Sequence, residues 1–281
     1  MEINTNSDMV KVSRLDGKVA LIVGGGGVLG SAIGKGLGLA GAHVALADID
    51  EEKARSTARH LQTLDIKALG LKMDAFDRNN IRACLDRIES EVGLVDVLVN
   101  GAGGNISHAT ISEETDFFNL PGDALEKVVG LNLFAGAILP CQIVGERMAS
   151  RNEPASIINM SSMNAFRPLT RIVGYSAAKA AVSNFTQWLA VYMARDLKSA
   201  VRVNALAPGF FLTEQNRYLL LDENENLTDR GRTIISHTPM GRFGEPDDLI
   251  GAAVWLASDS SVFVTGIVLP VDGGFSAFSG V

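Results

Sequence analysis

Basic charge, cysteine, histidine and long apolar runs are all scarce in this chain of 281 residues. Lys and Arg number 25 against 32 Asp and Glu, and the formal charge of -7 excludes a general nucleic-acid footprint. Two cysteines, Cys84 and Cys141, are too few for a disulfide framework and have no metal-ligand spacing; both read as ordinary helix residues in a reducing cytoplasm. His43, His60, His108 and His237 are scattered without the paired spacing of a zinc site, so no metal is expected. No purely apolar run reaches the ~18 residues of a membrane span, and the opening MEINTNSDMVKVSRLDGK lacks a signal core. The expectation is a cytoplasmic protein with neither nucleic-acid nor membrane partners. Only 8 prolines stand against 29 glycines, and 47% of residues are hydrophobic, which suits tight backbone approaches around a sizeable core better than disorder.

Residues 1–15 are polar and unpatterned and read as a surface arm. From there, 16–281 read as one domain, since α/β folds often exceed the usual size per domain. Short apolar, β-branched runs begin at Val19, His43, Ile66, Val95, Ser156, Val201 and Gly266. Strands buried on both faces have this composition. Amphipathic segments alternate with them: Leu29 to Ala40, Glu51 to Leu64, Arg78 to Val92, Gly122 to Ser150, Tyr175 to Lys198 and Asp247 to Ala257. The alternation predicts a doubly wound, Rossmann-type, mostly parallel seven-stranded sheet with helices on both faces. Two long connections, about 101–121 and 209–246, leave carboxyl ends of strands, where open α/β sheets bind ligands.

After the first strand, Gly24-Gly25-Gly26-Gly27-Val28-Leu29-Gly30 leads into a helix, and Gly25, Gly27 and Gly30 satisfy Gly-x-Gly-x-x-Gly. Glycines let a backbone approach a pyrophosphate closely, and the free N–H groups of a helix start favour its charge. Asp48, eighteen residues after Gly30, ends the second strand. A carboxylate there can accept from an adenosine ribose and repels the extra phosphate of NADP, so NAD (NADH) is the expected cofactor. Asp74 and Ala75 follow the third strand, at the adenine edge. Asn100-Gly101-Ala102-Gly103 follows the fourth, where small residues let the backbone lie against a cofactor and Asn100 can brace neighbouring strand ends.

Chemistry is concentrated between Ile157 and Lys179. Ser162 precedes Tyr175 by thirteen residues, and Lys179 follows the tyrosine at i+4. On a helix those two side chains stand on one face, about one turn apart. A free phenol has a pKa of about 10, and a neighbouring ammonium favours the phenolate. A serine hydroxyl at a strand end can hold the substrate oxygen while its proton moves.

Together with the glycine loop, Asn132 in the preceding helix and Pro208-Gly209 after the sixth strand, this pattern resembles the short-chain dehydrogenase/reductase family from Lys18 onward. The resemblance implies hydride transfer between nicotinamide and a carbonyl or alcohol carbon. It makes Tyr175 the acid/base, Ser162 the group that positions the reacting oxygen, Lys179 the residue that lowers the tyrosine pKa and contacts the ribose, and Asn132 the holder of a relay water. Thr213 matches a position at the nicotinamide end. Ser161 competes for the serine role, but the family's thirteen-residue gap selects Ser162. The sequence differs from the family at Val23, in a threonine position, and at Val28, in place of the middle glycine, which alters the phosphate contacts more than the turn.

Within the family, SSMNAFRPLT, SNFTQWLAV, APGFFLTEQNR, HTPMGRFG and PVDGGFSAFSGV resemble the short-chain type of D-mannonate oxidoreductase (fructuronate reductase). That resemblance implies D-fructuronate plus NADH giving D-mannonate plus NAD at the C5 oxygen, in hexuronate catabolism. A sugar acid needs a cation for its carboxylate and amides for its hydroxyls. Asn105, Asn164, Gln215 and Asn216 are the substrate candidates, with His108, Arg167, Arg171, Arg217, His237 and Arg242 nearby in sequence; which arginine meets the carboxylate stays open. Phe185, Trp188, Leu189 and Tyr192 exceed what one helix face needs for the core. Such helices form the tetramer interface in the resembled family, so a homotetramer is expected. The alternatives are a related polyol or keto-acid dehydrogenase such as a gluconate 5-dehydrogenase, and a non-catalytic dinucleotide-binding protein.

Overall fold

A computed structural model describes residues 13–213 and 216–280. Seven strands, β1 (Val19–Val23), β2 (His43–Asp48), β3 (Ala68–Lys72), β4 (Val97–Asn100), β5 (Ala155–Met160), β6 (Val201–Pro208) and β7 (Val268–Val271), pair in the order β3-β2-β1-β4-β5-β6-β7. Every pairing is parallel. The central strands are buried on both faces, hence their unbroken apolar sequences. β3 and β7 are only half-buried because each is an edge, and each begins two residues later than its apolar run suggests.

Helices α1 (Val28–Leu39), α2 (Glu51–Gln62), α3 (Arg78–Glu91), α4 (Gly122–Ser150), α5 (Val173–Val191), α6 (Arg217–Leu220), α7 (Asp229–Ser236) and α8 (Ile250–Ala257) fill the connections. Local chemistry starts several of them. The Asp50 carboxylate caps α2 on the Lys53 N–H, and Asp77 caps α3 on Asn79 and Asn80. The apolar α4 is long enough to cross a membrane by length and composition, yet it packs on the sheet and buries Cys141, Ile143 and Val144. Its middle, Gly130–Ile138, widens into π geometry around Asn132.

Two apolar layers cover the sheet. One joins Leu21, Leu98 and Ile157 to Ile81, Leu85 and Val144; the other joins Ile22, Val99 and Ile158 to Ile33, Leu37 and Leu256. Leu15 belongs to the second layer, which corrects the reading of residues 1–15 as a surface arm. It is 2% exposed, and its N–H donates to the Ala40 carbonyl at 2.8 Å. Residues 1–12 of that arm lie outside the described residues.

The chain order reverses between β1 and β4, which lie side by side with Val23 opposite Asn100. The loops that leave them diverge to opposite faces and open a crevice at the carboxyl edge, as doubly wound sheets do. Leu15→Ala is expected to cost about 2–5 kcal/mol, the range for truncating a buried leucine; urea unfolding that shows less than ~0.5 kcal/mol would return Leu15 to the surface.

Candidate active site

The crevice is a cavity of about 310 Å³, with Gly24, Val28 and Gly30 on one side and Ser162, Tyr175 and Lys179 on the other. Pro208, Gly209, Thr213 and Asn216 close it from above β6. At its floor, α1 begins at Gly27 with no side-chain cap and no acid in its first turn. The contrast with the Asp-capped α2 and α3 leaves N–H groups and the positive end of the helix dipole for a ligand.

Two glycines make the close turn possible. Gly24 has φ +80, and a Cβ there would stand 2.7 Å from the Ala102 nitrogen. At Gly30 a Cβ would stand 2.3 Å from the Gly24 carbonyl oxygen. The Asp48 carboxylate accepts from the Gly26 N–H at 3.0 Å, which places a negative charge beside the loop where β2 ends. A narrow glycine cradle, open helix N–H groups and one adjacent carboxylate fit a dinucleotide: pyrophosphate over Gly24 to Gly30 and a ribose at Asp48.

At the chemical end, Tyr175 and Lys179 project from one face of α5, with the lysine nitrogen 5.5 Å from the tyrosine ring centroid. Lys179 is 4% exposed and donates to the Met160 carbonyl at 2.7 Å. Ser162 lines the same cavity beside the phenol, and its oxygen accepts from the Asn164 N–H at 3.3 Å. Ser161 is turned away: its hydroxyl lies 2.7 Å from that of Ser183 and donates to the Lys179 carbonyl. The two serines therefore have separate tasks, one facing Tyr175 and one holding α5.

Burial dominates both titrations. It pushes the Tyr175 phenol above its ordinary value of 10.0, with the nearby Ser162 hydroxyl opposing, and pulls Lys179 down to about 8. Without a ligand the ammonium is thus fully formed only on the acid side of pH 8.

Asn132 is completely buried, and its amide locks the loop after β4. Its Oδ1 accepts from the Gly104 N–H at 3.0 Å, while Nδ2 donates to the Gly104 carbonyl at 2.7 Å and the Val128 carbonyl at 2.8 Å. Both ends of the side chain are engaged, so any relay water falls to the main chain.

Other expected residues have different surroundings. The Asn100 amide points into the core, donating to Asn159 Oδ1 at 2.8 Å and Cys141 Sγ at 3.2 Å, and Asn159 continues to Thr186 at 2.9 Å. It braces β4 against β5, as expected of a strand-end asparagine, but does not line the cavity. Burial pushes the Cys141 thiol beside it up to about 12, leaving it inert. Gly25 lies under the loop and donates to Ala47, Ala102 abuts Gly24, and Ala75 is packed in the core. Asp74 accepts from the Phe76 N–H at 2.9 Å.

Among the substrate candidates, Asn164 opens into a separate recess of about 500 Å³ with Ser176, Phe117 and Leu169. The turn Met163–Ala165 rotates its side chain away from that of Ser162, whereas an extended segment would align i and i+2. Asn105 is exposed and donates to Thr110 at 2.7 Å. Asn216 lines the cavity, but its amide closes the loop, accepting from Thr213 N–H and donating to the Phe211 carbonyl, both at 2.8 Å. Gln215 lies outside the described residues. Sequence reasoning passed over Phe210 and Phe211, which line the cavity directly after Pro208-Gly209; their adjacency to that dipeptide was the available signal.

A family model described as enoyl-(acyl carrier protein) reductase, one of the short-chain dehydrogenase models, matches residues 27–276. The chain is 45% identical over 279 residues to an uncharacterized oxidoreductase of Haemophilus influenzae, covering 95% of this chain and 96% of the relative. It is 34% identical over 260 residues to 5-keto-D-gluconate 5-reductase of Escherichia coli, covering 92% and 96% respectively. A crystal structure of a Haemophilus protein described as a candidate D-mannonate oxidoreductase, with bound NAD, superposes with a TM-score of 0.88. That pair shares 44% identity over 97% of this chain and 100% of the other. Lysines labelled at Cε and followed by NMR in ligand-free protein should include one that titrates near pH 8 and is missing from Lys179→Met; a Lys179 signal unchanged up to pH 9.5 would contradict the assignment.

Proposed function

The chain belongs to the short-chain dehydrogenase/reductase family, and from that premise we propose that it interconverts D-fructuronate and D-mannonate with NAD(H), by hydride transfer at C5. The juxtaposition of Ser162, Tyr175 and Lys179 at the rim of the glycine cradle carries the reading. The similarity to the Haemophilus protein supports the substrate, and the Asp48 carboxylate against Gly26 supports NAD, because a second phosphate there would meet a negative charge.

Nicotinamide, when bound, supplies or accepts the hydride. In the reductive direction Tyr175 gives its phenolic proton to the C5 oxygen, held meanwhile by the Ser162 hydroxyl. Lys179, one turn below, then stabilises the phenolate, and its bond to Met160 fixes where its ammonium sits on the cavity wall. In the oxidative direction Tyr175 takes the proton back. Asn132 holds the Gly104 backbone in place at the wall of the cavity.

A second reading, reduction of a 5-keto aldonate, is favoured by the similarity to the Escherichia coli 5-keto-D-gluconate reductase. Both substrates are hydroxyl-rich acids reduced at C5, and the distinction lies in which loop groups meet the far end of the substrate. A homotetramer built on α5 is part of the same proposal. Phe185, Trp188 and Tyr192 stack along its outer side with centroids 6.3 and 5.2 Å apart, and Trp188 is 58% exposed.

NADH oxidation with D-fructuronate, D-tagaturonate and 5-ketogluconate should give the highest kcat/KM with D-fructuronate; equal rates across the panel would sink that identification. Tyr175→Phe should lower kcat by ~10²-fold or more, the scale of lost general acid catalysis, with NADH affinity unchanged in a fluorescence titration. A near wild-type rate would remove Tyr175 from the chemistry.

A further inference from the structure

Phe210 lines two cavities at once. On one side lies the cavity of about 310 Å³ that holds Ser162, Tyr175 and Lys179; on the other is a second one of about 410 Å³, bounded by Thr238, Met240 and the segment Val271–Gly274. Its neighbour Phe211 also touches both, but Phe211 is 5% exposed and belongs to the second apolar layer over the sheet. Phe210 is half-buried with space on two sides. Close packing on every side fixes a core ring; here a specific contact has to set the position instead.

That contact comes from the segment after β7. The Phe275 ring meets Phe210 edge to face, with centroids 5.2 Å apart and planes at 65°. Phe275 is in turn seated by the backbone around it. The Asp272 carboxylate accepts from the Gly274 N–H at 2.9 Å and the Ser276 N–H at 2.8 Å, which folds the segment into a tight turn. At its root the Gly209 N–H donates to the Val271 carbonyl at 3.0 Å, and a Cβ on Gly209 would stand 2.7 Å from the Asp272 Cα. The Met240 N–H donates to the Gly273 carbonyl at 3.1 Å, and the His237 ring stands 6.5 Å from that of Phe275 and 6.4 Å from that of Phe278. Arg167, in the connection from Ser162 to Tyr175, donates through Nε to the Ser276 carbonyl at 3.1 Å. Residues 271–278 thus touch three segments: that connection, the loop after β6 and the chain just after α7.

We propose that Phe275 is a positioning residue: it holds Phe210 against the catalytic cavity and keeps it from turning into the second one, so that the ring forms a fixed apolar wall for the substrate. A sugar acid has apolar C–H faces that can lie on such a ring while its hydroxyls point elsewhere. The inference rests on the sugar-acid reading above for the identity of the substrate, and on the contacts of Phe210 for the rest. The cofactor side is left alone: among the described residues, the hydrogen bonds of 272–278 reach neither Gly24–Gly30 nor Asp48.

The test is a double-mutant cycle on Phe210→Leu and Phe275→Leu, with Phe275→Tyr as the conservative variant, assayed with the sugar acid of highest kcat/KM in the panel above. Phe275→Leu should raise KM about 3- to 10-fold, the scale of one lost aromatic pair, with kcat within about twofold and NADH affinity unchanged. Phe275→Tyr keeps the ring and should stay within about twofold of wild type. On the Phe210→Leu background, Phe275→Leu should add less than about twofold, because Phe275 acts through Phe210. Losses that multiply independently overturn the proposal, as does an unchanged KM. In ligand-free Phe275→Leu, hydrogen exchange of the amides at 209–213 should quicken while that at 24–30 stays as in wild type. Equal protection at 209–213 overturns the positioning role without any substrate, and a general rise that includes β1 and β4 overturns it as a loss of stability alone. Wild type that turns over no sugar acid overturns the proposed function, and the exchange measurement then decides the role of Phe275 by itself.

Discussion

The Lys179 ammonium donates to the Met160 carbonyl at 2.7 Å while the residue is almost wholly out of water. Met160 is the last residue of β5 and Lys179 lies in the second turn of α5, so this bond fixes how far the helix is rotated against the end of the strand. A rotation of one residue would carry Tyr175 through about 100° and out of reach of Ser162. Ser161 adds a second fastening to the same turn through the Lys179 carbonyl. A buried cation with one neutral partner is unfavourable by itself, and packing on both faces of the sheet offsets it. The placement of Tyr175 beside Ser162 is therefore inherited from the contact between one strand end and one helix turn.

The architecture was legible because central parallel strands can hardly be written otherwise. Val19–Val23 is apolar at every position since water reaches neither face, and the observed β1 has those bounds. Edges were less legible: β7 is half-exposed, and its composition merges with the loop before it. That Tyr175 and Lys179 share one helix face could be read from spacing, because i and i+4 on a helix need no tertiary information. Ser162 over Ser161 could not be settled by chemistry alone, as both carry the same hydroxyl; the hydrogen bonds of Ser161 to α5 separate them.

Amides were hard to place from sequence. Asn132 was expected to hold a relay water, Asn164 and Asn216 to meet substrate, and Asn100 to meet the cofactor and brace strand ends. Three spend their amides on the protein: Asn100 on a strand neighbour, Asn132 on Gly104, and Asn216 on its own loop. Asn164 is rotated into another recess by a single tight turn. An amide supplies both a donor and an acceptor, so it suits backbone as well as ligand, and residue type cannot tell the two apart.

The π geometry at Gly130–Ile138 bears on how this protein tolerates change in length. Such a bulge accommodates one residue more than an α-helix needs over the same rise, while the flanks keep their phase. In α4 the flanks bury Val128 on one side and Cys141 and Val144 on the other, and between them the bulge presents Asn132 to Gly104. Helix packing and site geometry are in that sense written in separate counts. A one-residue deletion within the bulge would leave both flanks seated while withdrawing the clasp from the loop, whereas the same deletion in either flank would turn an apolar face toward water.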